Sequence, residues 1–279
     1  MNAAPVLPAG ATNAHCHVFG PRERFPYAAD APFVPAADAP KEALQALNDR
    51  LGLSRCVVVQ STCHGHDNSV VEDAIAARPQ HHRGVVLLPT DVPDAELRRL
   101  DAAGVRGVRF NYSRHLGRGT PVAEVLALAA RLVPLRWHLQ IHGDATWMDE
   151  LGPALRASPV PVVIDHLGRI DARLGLAQPH FRTLRTLMER PTFWVKLSGI
   201  DRITAAGPPY DDAVPFAARL MADHPERVVW GNDWPHPNHA GPVPDEDTLV
   251  ASIFRMAPRP DDRQRLLVDN PQRLYRFGP

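Results

Sequence analysis

Short apolar runs alternate with amphipathic segments along the whole chain. The runs are ATNAHCHV (11–18), SRCVVVQ (54–60), RGVVLL (83–88), GVRGVRF (104–110), WHLQIH (137–142), PVVIDH (161–166), FWVKLS (193–198) and RVVWGND (227–233). β-Branched residues dominate most of them, as strands buried on both faces require. Between the runs, apolar positions recur at helical spacing. PKEALQALNDRLG (40–52) opens on Pro and closes on Gly, and DNSVVEDAIAARP (67–79) starts at an Asp cap and stops before Pro79. VPDAELRRLDAAG (92–104) ends at Gly104, and TPVAEVLALAARLV (120–133) carries a Thr cap followed by Pro at the first helical position. Further helices are predicted near 147–157, 179–190, 211–224, 245–256 and 260–268.

Eight strand–helix alternations in one chain predict a (β/α)8 TIM barrel in the α/β class, a single domain spanning 1–279. A doubly wound open sheet is the competing architecture. It normally opens with a Gly-rich first turn, and the first strand here ends HVFGPRERFPY, without GxGxxG.

Composition narrows the function classes. Lys+Arg and Asp+Glu both total 31, so the chain lacks the basic excess of a nucleic-acid binder. A local cationic pocket remains compatible with that balance. The three cysteines, Cys16, Cys56 and Cys63, form no CxxC pair and read as free thiols in a reducing compartment. MNAAPVLPAGATN has no signal-peptide character and no apolar stretch reaches membrane-span length, so a cytoplasmic protein with no membrane partner is expected. Oligomeric state is not legible.

In a barrel of this kind the chemistry lies at the C-terminal ends of the strands. There the apolar runs give way to polar residues. His15 and His17 are two apart and share one face of the first strand, while Cys16 points the other way. Two such imidazoles suit a metal ion or an anion; alone they equally suit a solvated face. Later strands end with Ser61, Thr62 and His64, then Arg109 and His115, then His142, His166, Ser198 with Arg202, and Asp233 with His236. Singly, each has an ordinary reading: a rim histidine, a helix cap, a surface ion pair. Four histidines and an aspartate from strands 1, 5, 6 and 8 meeting at one mouth do not.

With these residues in place, the chain resembles the amidohydrolase superfamily, in its amidohydrolase-2 branch: His-x-His after strand 1, His after strands 5 and 6, Asp after strand 8. HCHVFGP, VVVQSTCHGHDN, GVRGVRFN, DHLGR, WGNDWPHPN and LLVDNPQRLY are similar to the pyrone-dicarboxylate lactonases and sulfomuconolactone hydrolases of that branch. The resemblance implies one divalent metal, zinc or manganese, on His15, His17, His142 and Asp233. Metal-free operation stays open, because the pyrone lactonases carry tyrosine where this chain has His142. His115 likewise stands where those enzymes place an arginine.

The resemblance further implies a hydrolase that opens a small anionic lactone by water attack during aromatic-compound breakdown. Asp233 would act as the base and His166 as the donor to the carbonyl. Arg109 and Arg202 would bind the substrate's anionic groups, with Tyr27, Ser61, Thr62, His64, His115 and His236 around them. A metal-dependent decarboxylase of an aromatic or muconate-type acid, or a sugar-acid lactonase or isomerase, would use much the same site. Lys196, in mid-strand, reads as a charge inside the barrel.

Overall fold

The computed structural model describes residues 6–114 and 119–278. Eight parallel strands follow one another in chain order around a barrel: β1 Thr12–Cys16, β2 Arg55–Val59, β3 His82–Val86, β4 Val105–Tyr112, β5 His138–Gly143, β6 Val162–Ile164, β7 Phe193–Lys196 and β8 Val228–Val229. Each falls within, or within two residues of, a predicted apolar run. The helices are α1 Lys41–Leu51, α2 Ser69–Ala77, α3 Asp94–Ala102, α4 Val122–Leu132, α5 Trp147–Glu150, α6 Gly152–Leu155, α7 Pro179–Met188, α8 Ile200–Ile203, α9 Val214–Asp223, α10 Glu246–Met256, α11 Pro260–Gln264 and α12 Asn270–Tyr275. Among the described residues, no helix is long and apolar enough to cross a membrane.

Local chemistry explains where the helices differ from expectation. The segment 147–157 splits into α5 and α6, because Pro153 at the start of the second cannot continue the first. Helix α4 begins one residue later than expected, so Pro121 rather than Thr120 is its cap. Asn68 caps α2, yet Asp67 still supplies the side-chain acceptor, taking a hydrogen bond from Ser69 N at 3.0 Å.

The apolar faces make two main cores, beside a small cluster of Phe19, Ala39 and Cys63 under the loop after β1. A large one lies between the sheet and the outer helices, and it includes Cys16, Cys56, Val58, Val108, Leu139, Ile141 and Val195. A smaller one fills the lower barrel, where Val57, Val59, Val85, Val163 and Trp194 meet Leu274, Tyr275 and Phe277 from the chain's end. Alternation along β5 and β7 sends His138, Gln140 and Lys196 inward instead. The barrel is therefore plugged by hydrocarbon below and filled by polar side chains above.

Closure needs β8 and its continuation to run against β1. Ala14 N donates to Trp230 O at 2.8 Å, Asp233 N to His15 O at 2.9 Å and His17 N to Trp234 O at 2.7 Å. Gly231 sits in this seam. A Cβ there would lie 2.4 Å from His15 N and 2.8 Å from its Cα, so only glycine permits the approach. Gly231→Ala is expected to cost about 1–3 kcal/mol, the usual range for overpacking, read as a lower midpoint in urea denaturation. An unchanged midpoint would show that the seam yields without cost.

Candidate active site

At the C-terminal mouth, the loops after the strands line a cavity. His17 enters from β1, Ser61 and Thr62 follow β2, Arg109 comes from β4 and His142 from β5. His166 and Arg169 follow β6, Arg202 lies in α8, and Asp233 with Asn238 follows β8. Phe33, from the long loop after β1, closes one side. Its loop is pinned by reciprocal backbone hydrogen bonds between Phe19 and Ala39 at 2.9 and 2.7 Å.

Several of these residues sit in backbone conformations that L side chains rarely adopt. Positive φ values occur at His166 (49°), Arg169 (55°), Asp233 (65°) and Asn238 (55°), all lining the cavity. Such positions persist only where the surroundings over-determine them. Gly199 leaves room for the His166 side chain: a Cβ on it would come within 2.6 Å of the His166 Cβ.

Three lone-pair-bearing atoms converge on the cavity floor. His17 Nε2 lies 3.1 Å from Asp233 Oδ1, His15 Nε2 lies 3.5 Å from the same oxygen, and the two Nε2 atoms are 3.3 Å apart. His17 Nδ1 is 2.7 Å from Val59 O, which can only accept, so Nδ1 carries a proton and, in the neutral ring, Nε2 a lone pair. Acceptors facing each other at this distance require a shared proton or a cation between them. A tetrahedral ion with donors at about 2.0–2.1 Å sets those donors roughly 3.3–3.4 Å apart. The three observed separations bracket that value, so the donor set fits a divalent ion.

Beneath the floor lies a second polar layer. Asp165 Oδ2 accepts from Arg109 Nε at 2.9 Å and from Gln140 Nε2 at 3.0 Å. Lys196 Nζ donates to Ala14 O at 2.9 Å and Gln140 Oε1 at 2.8 Å, and its third contact is His15 Nδ1 at 3.1 Å. Burial opposes ionisation of Asp165, but His15, Arg109 and Lys196 outweigh it and hold the carboxyl well below its ordinary range. Burial pushes Lys196 down to about 8. Asp233 is likewise buried, and the Arg202 guanidinium beside it holds it well below the carboxylate range. Arg202 Nε donates to Asp233 Oδ2 at 2.5 Å.

The upper histidines are neutral. Burial, reinforced by Arg109, holds His142 well below its ordinary value, and burial does the same to His166 against the pull of Asp233. With Asn111 Oδ1 accepting from His142 Nδ1 at 3.1 Å, the other nitrogen keeps its lone pair. The Ser198 hydroxyl, 2.9 Å from His166 Nδ1, can donate there, which leaves Nε2–H facing Asp233 Oδ2 at 3.8 Å.

Comparison with known proteins places this architecture. The amidohydrolase family model matches residues 12–277. The chain belongs to the amidohydrolase family. It is 44% identical to a 2-pyrone-4,6-dicarboxylate hydrolase of Comamonas testosteroni, over 96% of this chain and 91% of that one. It is 38% identical to a 4-sulfomuconolactone hydrolase of Rhizobium radiobacter, over 98% and 93%. A solved structure from Pseudomonas putida superposes with a TM-score of 0.84 at 34% identity, covering 97% of this chain and 99% of that one. The protein is an enzyme.

In this amidohydrolase the predicted residues separate into groups. His15, His17 and Asp233 form one donor cluster; His142, predicted as a fourth ligand, is not part of it and borders the cavity instead. Arg109, Arg202, His166, Ser61 and Thr62 line the cavity as expected. Tyr27 does not: its ring packs on His64 with centroids 4.9 Å apart. His64 itself lines a neighbouring cleft, its Nδ1 3.1 Å from Pro26 O. His236 is buried behind the cavity with Nε2 2.8 Å from Glu246 Oε1, so it braces the loop after β8 rather than facing the cavity. His115 lies outside the described residues.

Two residues were not anticipated. Asp165 precedes His166 in IDHLGR, and its neighbour drew the attention; an acid ending an otherwise apolar strand was the available signal. Arg169 ends the same motif. It lines the cavity and, among the described residues, makes no hydrogen bond or ion pair, although Asp233, Asp144 and Asp201 are near enough to favour its charge.

The buried histidines set an acid limit on stability. In the unfolded chain His15 and His138 bind a proton near 6.5; burial holds both to about 3 in the folded protein. The unfolded state therefore binds more protons between pH 6.5 and 3, and stability is lost as pH falls through that window. Urea denaturation is expected to show a steep loss from pH 7 to pH 4, with a shallower slope in His138→Gln. A flat profile would mean that these rings are protonated in the folded state.

Proposed function

We propose that the protein hydrolyses a small anionic lactone of aromatic-compound breakdown, carrying two carboxylates or a carboxylate and a sulfonate. The observation that carries this reading is the charge of the cavity. Arg109, Arg169 and Arg202 line it against the carboxylate of Asp233, and among the described residues Arg169 makes no hydrogen bond or ion pair. Guanidinium groups bind carboxylates and sulfonates through paired hydrogen bonds. The similarity to enzymes named for 2-pyrone-4,6-dicarboxylate and 4-sulfomuconolactone supports the same substrate class.

Arg109 is held by Asp165 through Nε, which leaves its terminal nitrogens for the substrate. Arg169 completes the grip. His166, neutral and held by Ser198, donates from Nε2 to the lactone carbonyl oxygen as negative charge develops there. Asp233 takes the proton of the attacking water and returns it to the leaving oxygen. In the free enzyme Arg202 weakens Asp233 as a base. A substrate anion that engages Arg202 withdraws that influence, so the base gains strength when substrate is present. His15, His17 and Asp233 would hold a divalent ion, zinc or manganese, with His142 presenting its lone pair to the same cavity. Such an ion lowers the pKa of its water toward about 7.

The test is acid release in a pH-stat with each of the two lactones. One of them is expected to be opened with one acid equivalent formed; release of CO2 instead would favour the decarboxylase reading, and no reaction with either would sink the proposal. Asp233→Asn is expected to lower kcat by about 10²–10⁴-fold, the usual weight of general acid–base catalysis. Arg169→Met removes a cation without orphaning a carboxylate, so KM is expected to rise about 10–100-fold, the worth of one charged hydrogen bond. A KM within twofold of wild type would place the substrate anion elsewhere.

A further inference from the structure

His15 stands between two chemistries. Its Nε2 faces His17 Nε2 and Asp233 Oδ1 on the cavity floor. Its Nδ1 faces two buried groups of opposite demand. Lys196 Nζ, 3.1 Å away, donates, and its other two contacts, Ala14 O and Gln140 Oε1, are both acceptors. Asp165 Oδ1, 3.3 Å away, accepts, and it has no hydrogen-bond partner although its other oxygen takes two. Neutral imidazole carries one N–H, so the partner chosen at Nδ1 decides what Nε2 can do.

We propose that Lys196 sets the cation affinity of the His15–His17–Asp233 group by selecting the tautomer of His15. While Lys196 donates to Nδ1, the proton resides on Nε2. It then lies among His17 Nε2 and Asp233 Oδ1, at 3.3 and 3.5 Å, and satisfies the facing lone pairs without any ion. A cation needs the opposite arrangement. Nε2 gives up its proton, Nδ1 carries one, and that N–H turns to the vacant Asp165 Oδ1, the carboxylate–histidine pairing that supports metal-ligating imidazoles. Lys196 must release the ring for this to happen, and Asp165 Oδ1, 3.7 Å from Nζ, is within reach of its freed donor. The lysine is thus a positioning residue that competes with the metal through the far side of one ligand. All of the participating side chains are buried, so water does not substitute for either partner.

The proposal rests on reading His15, His17 and Asp233 as a cation site, and not on the identity of the lactone. Two measurements test it, neither of which involves turnover. The first is Zn2+ affinity by competition with a chelator, for wild type and Lys196→Met. Removing the donor is expected to tighten Zn2+ binding about tenfold or more, within the 10–100-fold range of outer partners of metal ligands. Asp165→Asn, which weakens the acceptor, is expected to loosen it by a similar factor. The second is histidine 15N NMR of chelator-treated wild type, which requires no variant to fold. His15 is expected as the Nε2–H tautomer, changing to Nδ1–H when Zn2+ is added.

Equal Zn2+ affinity in wild type and a folded Lys196→Met would overturn the proposal, as would Nδ1–H at His15 in the metal-free protein. Zn2+ binding to neither protein would overturn it together with the cation reading. Failure to open either lactone would leave both results standing.

Discussion

The facing lone pairs of His15, His17 and Asp233 are the constraint on which the rest of the site depends. Three acceptor atoms within 3.5 Å of one another repel unless a proton or a cation lies between them. Everything nearby either forces the convergence or relieves it. Val59 O fixes the His17 tautomer, and Arg202 anchors the second oxygen of Asp233. The β1–β8 seam brings the imidazoles and the carboxylate together, and Gly231 allows its backbones to approach so closely.

The layer below shows how a buried charge is tolerated. Asp165, Lys196 and Arg109 lie inside the barrel, where isolated ions would be strongly disfavoured. Each is tied to another member or to Gln140, so the group is a network rather than a set of solitary ions. It costs desolvation and returns position: Arg109 is aimed by Asp165, and His15 is flanked by groups that discriminate between its tautomers. The cavity above is cationic and the floor is poised for a cation. A small anion and a divalent ion are therefore complementary occupants of one mouth.

The outer rim uses polar residues differently. His236 links through Glu246 to Asn232, whose side-chain oxygen accepts from Asn13 at 2.7 Å and from Trp234 N at 3.2 Å. This chain of hydrogen bonds ties the loop after β8 to α10 and β1. It explains why a histidine beside the catalytic turn, equally conspicuous in the sequence, braces the site instead of facing it.

The sequence by itself determined the barrel. Eight apolar runs separated by helical periodicity admit few other folds, because strands buried on both faces must be covered by helices. Strand alternation also put His15 and His17 on one face, and strand ends located His142, His166 and Asp233 at the mouth. Tertiary structure decided which of these meet. Their separations depend on strand register and on the seam at Gly231, and no periodicity encodes either. Partner choice was hidden for the same reason: Arg109 is shared with Asp165, 56 residues away, and Lys196 reaches His15 across 181 residues. Hydrophobic pattern is a property of neighbours along the chain, whereas a hydrogen bond inside a barrel joins residues that only closure makes neighbours.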